Sequence, residues 1–75
     1  MKNYANLNGK SGIKSYFITP TSVKIKFVKN SGVYVYNYDQ PGKGHVERIK
    51  TLALAGQGLS KYINQNIKRN YYSVE

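Results

Sequence analysis

The sequence predicts an α+β domain in which a three-stranded antiparallel β-sheet is followed by two short helices. Three observations support this fold class. Apolar and polar residues alternate with a period of two in the first half of the chain, turn residues separate the alternating segments, and apolar residues recur at helical spacing in the second half. A length of 75 residues allows one small domain, and the sequence contains no internal repeat.

The N-terminal segment is predicted to be a flexible arm. Residues 1–12 are mostly polar, and chain ends with few apolar anchors are usually poorly ordered. Tyr4 and Leu7 are the two side chains of this arm that could dock on a core. Residues 13–72 are therefore expected to form the single domain.

The first two predicted strands are residues 13–19 and 22–28, which are separated by a turn at Pro20. The second of these strands has the clearest pattern of the sequence, because β-branched and aromatic residues alternate with Lys24 and Lys26. We therefore expect one apolar and one basic face on this strand.

The third predicted strand, residues 33–38, follows a turn that ends at Gly32, and the two strands form a hairpin. Three tyrosines alternate along the third strand and share one face of it, namely Tyr34, Tyr36 and Tyr38. The register of the hairpin decides whether this face lies in the core or in solvent.

Two loop lengths lead to opposite arrangements of these tyrosines, because directly opposed residues share a face. A four-residue loop places Tyr34 opposite Phe27 and Tyr36 opposite Ile25, so that the tyrosines face the core. A three-residue loop places Tyr36 opposite Lys26 and creates a basic aromatic sheet face, since a one-residue slip moves every side chain to the other face. We favour the core-facing arrangement because it joins the rings to the apolar residues of the preceding strand.

Two helices are predicted after a loop at residues 39–44. The first covers residues 45–55 and ends at Gly56, which suits a left-handed helix stop. The second covers residues 59–69. Each has an apolar stripe at helical spacing, formed in the first helix by Val46, Ile49, Leu52 and Ala53, and in the second by Leu59, Tyr62, Ile63 and Ile67.

The formal net charge of +9 indicates an anionic partner, because 12 Lys and Arg residues stand against 3 Asp and Glu residues. No cysteine is present, which excludes disulfides, a thiol nucleophile and cysteine zinc ligands. We expect no membrane partner, since the longest apolar run, residues 52–55, is far shorter than a membrane span and the helical stripes are needed for the core. We expect a cytoplasmic protein.

Catalytic chemistry is not expected. The single histidine, His45, lies two residues before Glu47 at a predicted helix start, so their side chains project in different directions. A metal site needs three or four ligands, and no cysteine is present to complete one. Ser22 or Ser60 could in principle pair with His45 in a triad, but nothing in the sequence marks either serine as a nucleophile. We therefore predict a non-enzymatic protein with no catalytic residues, no metal ligands and no cofactor.

Basic residues interleaved with tyrosines are the strongest functional pattern. Lys and Arg bind phosphates, and tyrosine rings stack on unpaired bases. The predicted phosphate-binding residues are Lys24, Lys26, Lys43, Arg48, Lys50, Lys61, Lys68 and Arg69. The predicted stacking residues are Tyr34, Tyr36, Tyr71 and Tyr72.

Parts of the sequence resemble the KTSC-type domain, a short module that occurs alone and at the C-terminus of some lysyl-tRNA synthetases. The similar segments are residues 18–27 (ITPTSVKIKF), the Gly32 turn followed by Tyr34-Val35-Tyr36, and residues 47–64 (ERIKTLALAGQGLSKYIN). The resemblance covers about residues 13–72. It implies the α+β fold, an association with RNA or other nucleic acid, and no catalytic residues.

These observations lead to three hypotheses. The first is a binding module for nucleic acid, either RNA or another single strand, in which cations hold phosphates and tyrosines stack on bases. The second is a homo-oligomer that sequesters a phosphorylated small nucleotide, as in phage anti-defence proteins. The third is a scaffold subunit that binds a protein partner through its sheet.

Overall fold

The computed structural model describes residues 1–7, 9 and 12–75 of the chain and confirms the α+β fold with an antiparallel sheet and two helices. The strands of this part of the chain pair in chain order, and each is antiparallel to its neighbour. They are β1 (Lys2–Asn3), β2 (Ile13–Ile18), β3 (Ser22–Phe27), β4 (Val33–Asn37) and β5 (Ser73–Val74).

The prediction of three strands is incomplete, because two short edge strands extend the sheet on either side. β1 pairs with β2 through Lys2 and Tyr16, and β5 pairs with β4 through Val74 and Tyr34. A strand of two residues is too short to produce a recognisable alternation of apolar and polar residues. Its position is set by the backbone groups that the neighbouring strand leaves unpaired.

The first residues of the segment that was predicted to be a flexible arm are instead part of the folded domain. Tyr4 follows β1 and is 5% exposed. Its backbone N–H donates to the carbonyl of Lys14 at 3.0 Å, and its hydroxyl accepts a hydrogen bond from the backbone N–H of Leu59 at 3.4 Å. The N-terminal residues therefore contribute to both the sheet and the core.

The hairpin of β3 and β4 places the tyrosines on the core side of the sheet. Tyr34 lies opposite Ile25, and Tyr36 lies opposite Val23. The observed pairing is shifted by two residues from the pairing that a four-residue loop requires, since that loop would place Ile25 opposite Tyr36. The connection between the paired residues is therefore longer than either loop considered from the sequence. A shift by two keeps every side chain on the same face, so the core-facing arrangement is confirmed and the basic aromatic sheet face does not form.

Two helices cover the core face of the sheet. Helix α1 spans Lys43–Ala55 and helix α2 spans Leu59–Tyr62, and a π-helical turn at Ile63–Ile67 continues α2 without a break. The second helix is therefore shorter than its predicted range, 59–69, and widens in its second half. The largest fully buried side chains come from both layers, and they are Val23, Ile25, Tyr36, Val46, Ile49 and Leu59.

The predicted helix stop is confirmed at Gly56, which has φ 75° and donates its N–H to the carbonyl of Leu52 at 3.0 Å. Gly58, which directly precedes α2, has φ 80°. A Cβ atom added at Gly56 would lie 2.6 Å from the Cβ of Ala5, whereas one added at Gly58 would meet nothing closer than Leu52, at 3.6 Å. The N-terminal segment thus packs against the turn between the helices.

These two glycines give a matched stability test. We expect Gly58→Ala to lower the free energy of unfolding by about 1–2 kcal/mol, the cost of a left-handed backbone in a residue with a Cβ. Gly56→Ala should cost about 1–3 kcal/mol more, because its Cβ overlaps Ala5. Urea denaturation followed by circular dichroism measures both values. Equal losses in the two variants would contradict the packing of Ala5 on Gly56.

Candidate nucleic-acid interface

A groove of about 400 Å³ lies between the β3–β4 hairpin and the chain segment that runs from the π-helical turn to β5. Its aromatic lining consists of Phe27, Tyr34, Tyr36 and Tyr71. Its polar lining consists of Asn30, Asn64, Lys68 and Arg69. The groove therefore combines rings, amides and positive charges in one concave surface.

The aromatic rings of the groove form a chain of edge-to-face contacts. The ring centroids of Phe27 and Tyr34 are 5.2 Å apart at an interplanar angle of 88°, and those of Tyr34 and Tyr71 are 4.9 Å apart at 89°. Such contacts are favourable and hold each ring in a defined orientation. Tyr34 and Tyr71 are half-buried, so that part of each side chain remains accessible to a ligand.

Tyr36 differs from the other tyrosines of the groove because it is a core residue that is 1% exposed. Its ring contacts Tyr71 at a centroid distance of 6.4 Å. Burial, followed by the neighbouring Tyr34 and Tyr71 side chains, raises the pKa of the Tyr36 hydroxyl well above its ordinary value. Tyr36 is thus the buried ring of the groove, and Tyr71 packs against it.

The C-terminal strand positions Tyr71 over Tyr34. The backbone N–H of Tyr72 donates to the carbonyl of Val35 at 2.7 Å, and Val33 and Glu75 exchange backbone hydrogen bonds at 2.7 and 2.9 Å. These bonds hold residues 72–75 alongside β4. Tyr71, which directly precedes them, is therefore fixed against the ring of Tyr34.

The π-helical turn positions the two cations of the groove. The backbone N–H of Lys68 donates to the carbonyl of Ile63 at 2.5 Å, which closes the wide five-residue turn. Ile63 and Ile67 remain buried, and Lys68 and Arg69 follow directly after the turn as exposed residues. Helical turns of this type occur frequently at functional sites.

The two lysines of β3 lie on the opposite face of the sheet and have partners of their own. Lys24 Nζ lies 3.0 Å from Glu75 Oε1. Lys26 Nζ donates to the carbonyls of Asn30 and Ser31 at 2.9 and 3.0 Å. Neither lysine lines the groove.

Lys43 and Lys50, two cations of α1, surround Tyr38 instead of the groove. Their Nζ atoms lie 5.8 and 5.7 Å from the centroid of its ring. Lys50 also lies 2.9 Å from Glu47, whose other partner is the Tyr38 hydroxyl at 2.9 Å. Lys50 and then Tyr38 lower the pKa of the Glu47 carboxyl below its ordinary value. This cluster connects α1 with the end of β4.

The groove brings together five of the twelve residues that the sequence predicts to bind a ligand: Tyr34, Tyr36, Lys68, Arg69 and Tyr71. Arg48, Lys61 and Tyr72 are exposed and do not line it.

Sequence reasoning missed four residues of the groove: Phe27, Asn30, Ile63 and Asn64. The alternation of the second predicted strand places Phe27 on its apolar face and therefore predicts a core residue. In the sequence, Asn30 is a polar residue of the predicted hairpin turn, and Asn64 falls outside the apolar stripe of the second predicted helix. The position of Asn30 in the hairpin that carries Tyr34 is the signal that would have indicated the first of them.

A second groove, of about 530 Å³, has a mainly apolar lining. It lies at the opposite edge of the sheet, where Phe17 and Ile18 of β2 meet Leu54 of α1 and the N-terminal Met1. The groove contains none of the residues that the sequence predicts to bind a ligand. Its apolar character makes it less suited than the first groove to a charged ligand.

Within residues 1–7, 9 and 12–75, no group of three His, Asp or Glu side chains is arranged to hold a metal ion. No helix in this part of the chain is long and apolar enough to cross a membrane. Comparisons with protein-family models, curated proteins and solved structures found no match to this chain. The resemblance to KTSC-type domains stays a prediction from the sequence.

Proposed function

We propose that the protein is a non-enzymatic binding module for single-stranded nucleic acid, and that the groove lined by Tyr34, Tyr71, Lys68 and Arg69 is its binding surface. The observation that carries this proposal is that accessible tyrosine rings and free cations occupy the same groove. Stacking on bases and pairing with phosphates are the two interactions by which proteins hold single strands.

Charge supports the proposal at two levels. The formal net charge of +9 attracts polyanions to the whole molecule. Within the groove, neither Lys68 nor Arg69 forms an ion pair with a carboxylate of the described residues. The carboxylates of Glu47 and Glu75 are already paired elsewhere. Both groove cations are therefore available to phosphates.

The geometry favours a single strand over a duplex. Bases in a duplex are stacked on each other, so that a tyrosine ring reaches a base face only where the strand is unpaired. The groove is concave and small, and the partly accessible rings of Tyr34 and Tyr71 line it. RNA is the ligand we consider first, and a cytoplasmic location is part of the proposal.

The size of the groove is also compatible with a second ligand, a phosphorylated small nucleotide. A volume of about 400 Å³ lies in the range of small-molecule sites, which is about 300–1,000 Å³. A phosphorylated nucleotide, bound by single chains or by a homo-oligomer, would use the same rings and cations. Salt dependence separates the two ligands, because a strand releases counterions from many phosphates and a nucleotide from few.

Substitution of both groove cations tests the proposal directly. We expect Lys68→Ala/Arg69→Ala to weaken binding of a fluorescein-labelled ten-nucleotide RNA by about tenfold or more, because each charged contact contributes roughly 1 kcal/mol. The slope of log K against log salt should fall by about 1.4, since each phosphate contact on a single strand contributes ~0.7. Fluorescence anisotropy at several salt concentrations measures both quantities.

The matched control removes the same charge from another part of the surface. Lys2 and Lys14 are exposed residues of β1 and β2 and lie outside the groove. Lys2→Ala/Lys14→Ala should change RNA affinity much less than the groove variant. Equal losses in the two double variants would mean that net charge, and not the groove, determines binding. Absence of RNA binding by the unaltered protein at 50 mM salt would reject the proposed function.

A further inference from the structure

Two asparagine side chains of the groove are not used by the fold. Asn30 lies in the β3–β4 turn, Asn64 lies in the π-helical turn, and both line the groove. Neither side-chain amide hydrogen-bonds to another described residue. The amide of Asn66, in the same π-helical turn, instead donates to the carbonyl of Tyr62 at 3.1 Å. Asn37 likewise accepts hydrogen bonds from two backbone N–H groups in its turn, at 3.0 Å each.

We propose that Asn30 and Asn64 read the base that stacks in the groove and that they select adenine. This inference rests on the proposed function, because it assigns a specificity to the same groove. Each amide carries one acceptor and two donor hydrogens, so each can form a pair of hydrogen bonds with one edge of a base. In a single strand, both the Watson–Crick and the Hoogsteen edges are accessible.

Adenine is the base that satisfies two such amides completely. Its amino group has two N–H donors, and a ring nitrogen acceptor flanks each of them, N1 on one side and N7 on the other. Asn30 and Asn64 can therefore each accept one amino hydrogen and donate to the adjacent ring nitrogen. This is the pairing that asparagine makes with the N6 and N7 atoms of adenine in DNA.

The other bases leave part of this pair unsatisfied. Cytosine has an acceptor on one side of its amino group and a C–H on the other. Guanine and uracil carry a carbonyl oxygen in place of the amino group, so one amide carbonyl remains without a donor. A polar group that loses its partner on binding lowers affinity, because it gives up its hydrogen bonds to water.

The groove volume limits this recognition to one nucleotide at a time. About 400 Å³ is near the lower end of small-ligand sites, which begin at about 300 Å³. Tyr34 and Tyr71 supply the stacking surface, and Lys68 and Arg69 supply phosphate contacts. The asparagines are thus the groups of the groove that distinguish one base from another.

Homopolymer binding tests the inference. We expect the protein to bind ten-nucleotide A10 RNA at least tenfold more tightly than U10 or C10 RNA at equal salt. Asn30→Ala/Asn64→Ala should reduce A10 affinity to the level of U10 while leaving U10 affinity within about twofold, since stacking and phosphate contacts remain. Asn66→Ala, which changes an asparagine of the same π-helical turn outside the groove, should keep the preference for A10 and serves as the control.

The outcomes separate this inference from the proposed function. Equal affinity for A10, C10 and U10 would overturn adenine selection and leave single-strand binding supported. A preference for A10 that survives in the Asn30→Ala/Asn64→Ala variant would overturn the assignment to these residues. Failure to bind any homopolymer would reject the proposed function itself. Competition with AMP shows whether the natural ligand is a strand or a free nucleotide. Weak competition would support a strand. An AMP affinity equal to that of A10 would overturn the single-strand ligand in favour of a free adenine nucleotide.

Discussion

Replacement of Tyr71 by alanine is expected to weaken RNA binding by about five- to 150-fold, whereas the same replacement at Tyr72 should change binding by less than about twofold. A base stacked on an aromatic ring contributes about 1–3 kcal/mol by alanine substitution, and 1.4 kcal/mol corresponds to a tenfold change in affinity. Tyr71 lines the groove and contacts Tyr34 at 4.9 Å, while Tyr72 is 54% exposed outside it.

The experiment must separate lost stacking from lost stability, because Tyr71 also packs on Tyr36. Circular dichroism melting of each variant defines a temperature at which all are folded, and anisotropy titration with ten-nucleotide RNA is then carried out there. Tyr71→Phe retains the ring and should keep most of the affinity. Equal losses in Tyr71→Ala and Tyr72→Ala would show that the groove is not the stacking site.

The contrast between these neighbouring tyrosines illustrates what the sequence could not predict. Both were expected to stack, because the local pattern around residues 71 and 72 does not distinguish them. Tyr71 meets Tyr34 because β5 returns beside β4, and β5 is a strand of two residues. Such a contact depends on pairing between distant segments, which a local periodicity does not encode.

The elements that the sequence did predict are those whose pattern is local and long. The alternation in β3 and the apolar stripe of α1 each extend over several side chains that point to one face. Gly56 was recognisable as a helix stop because a left-handed backbone favours glycine. The face of the tyrosines in β4 was also predictable, although the register differs by two residues, because burial of apolar surface fixes the face more strongly than the turn fixes the pairing.

The partners of the ion pairs cannot be predicted from the sequence for the same reason as the contact between Tyr71 and Tyr34: they depend on distant segments that the fold brings together. Lys24 was expected to bind phosphate, yet it lies 3.0 Å from Glu75, which is 51 residues away in the chain. The chain has three acidic residues, and the two ion pairs among the described residues leave Lys24 and Lys50 partnered. The cations that remain free at the groove are thus selected by the fold and not by the local sequence.

Substitution of Tyr4 is expected to have a large effect on the stability of the domain. We expect Tyr4→Ala to lower the free energy of unfolding by about 3–5 kcal/mol, because it removes a large aromatic side chain from the core. A domain of this size rarely has more than about 3–5 kcal/mol of stability from its core. The variant should therefore be largely unfolded at 25 °C, although Tyr4 lies in a segment that the sequence alone describes as a polar arm.

Urea denaturation of Tyr4→Phe and Leu7→Ala makes this expectation specific. Tyr4→Phe keeps the ring and loses the hydrogen bond from the Leu59 N–H, so that it should cost only about 0.5–1.5 kcal/mol. Leu7 lies three residues further along the same segment and is 67% exposed, and Leu7→Ala should change stability by less than about 0.5 kcal/mol. If Tyr4→Ala were as stable as Leu7→Ala, residues 1–12 would behave as the flexible arm predicted from the sequence, and the core would be complete without them. A loss confined to Tyr4 would instead mean that the domain begins at β1, because the ring of Tyr4 belongs to the core and its hydroxyl binds the start of α2.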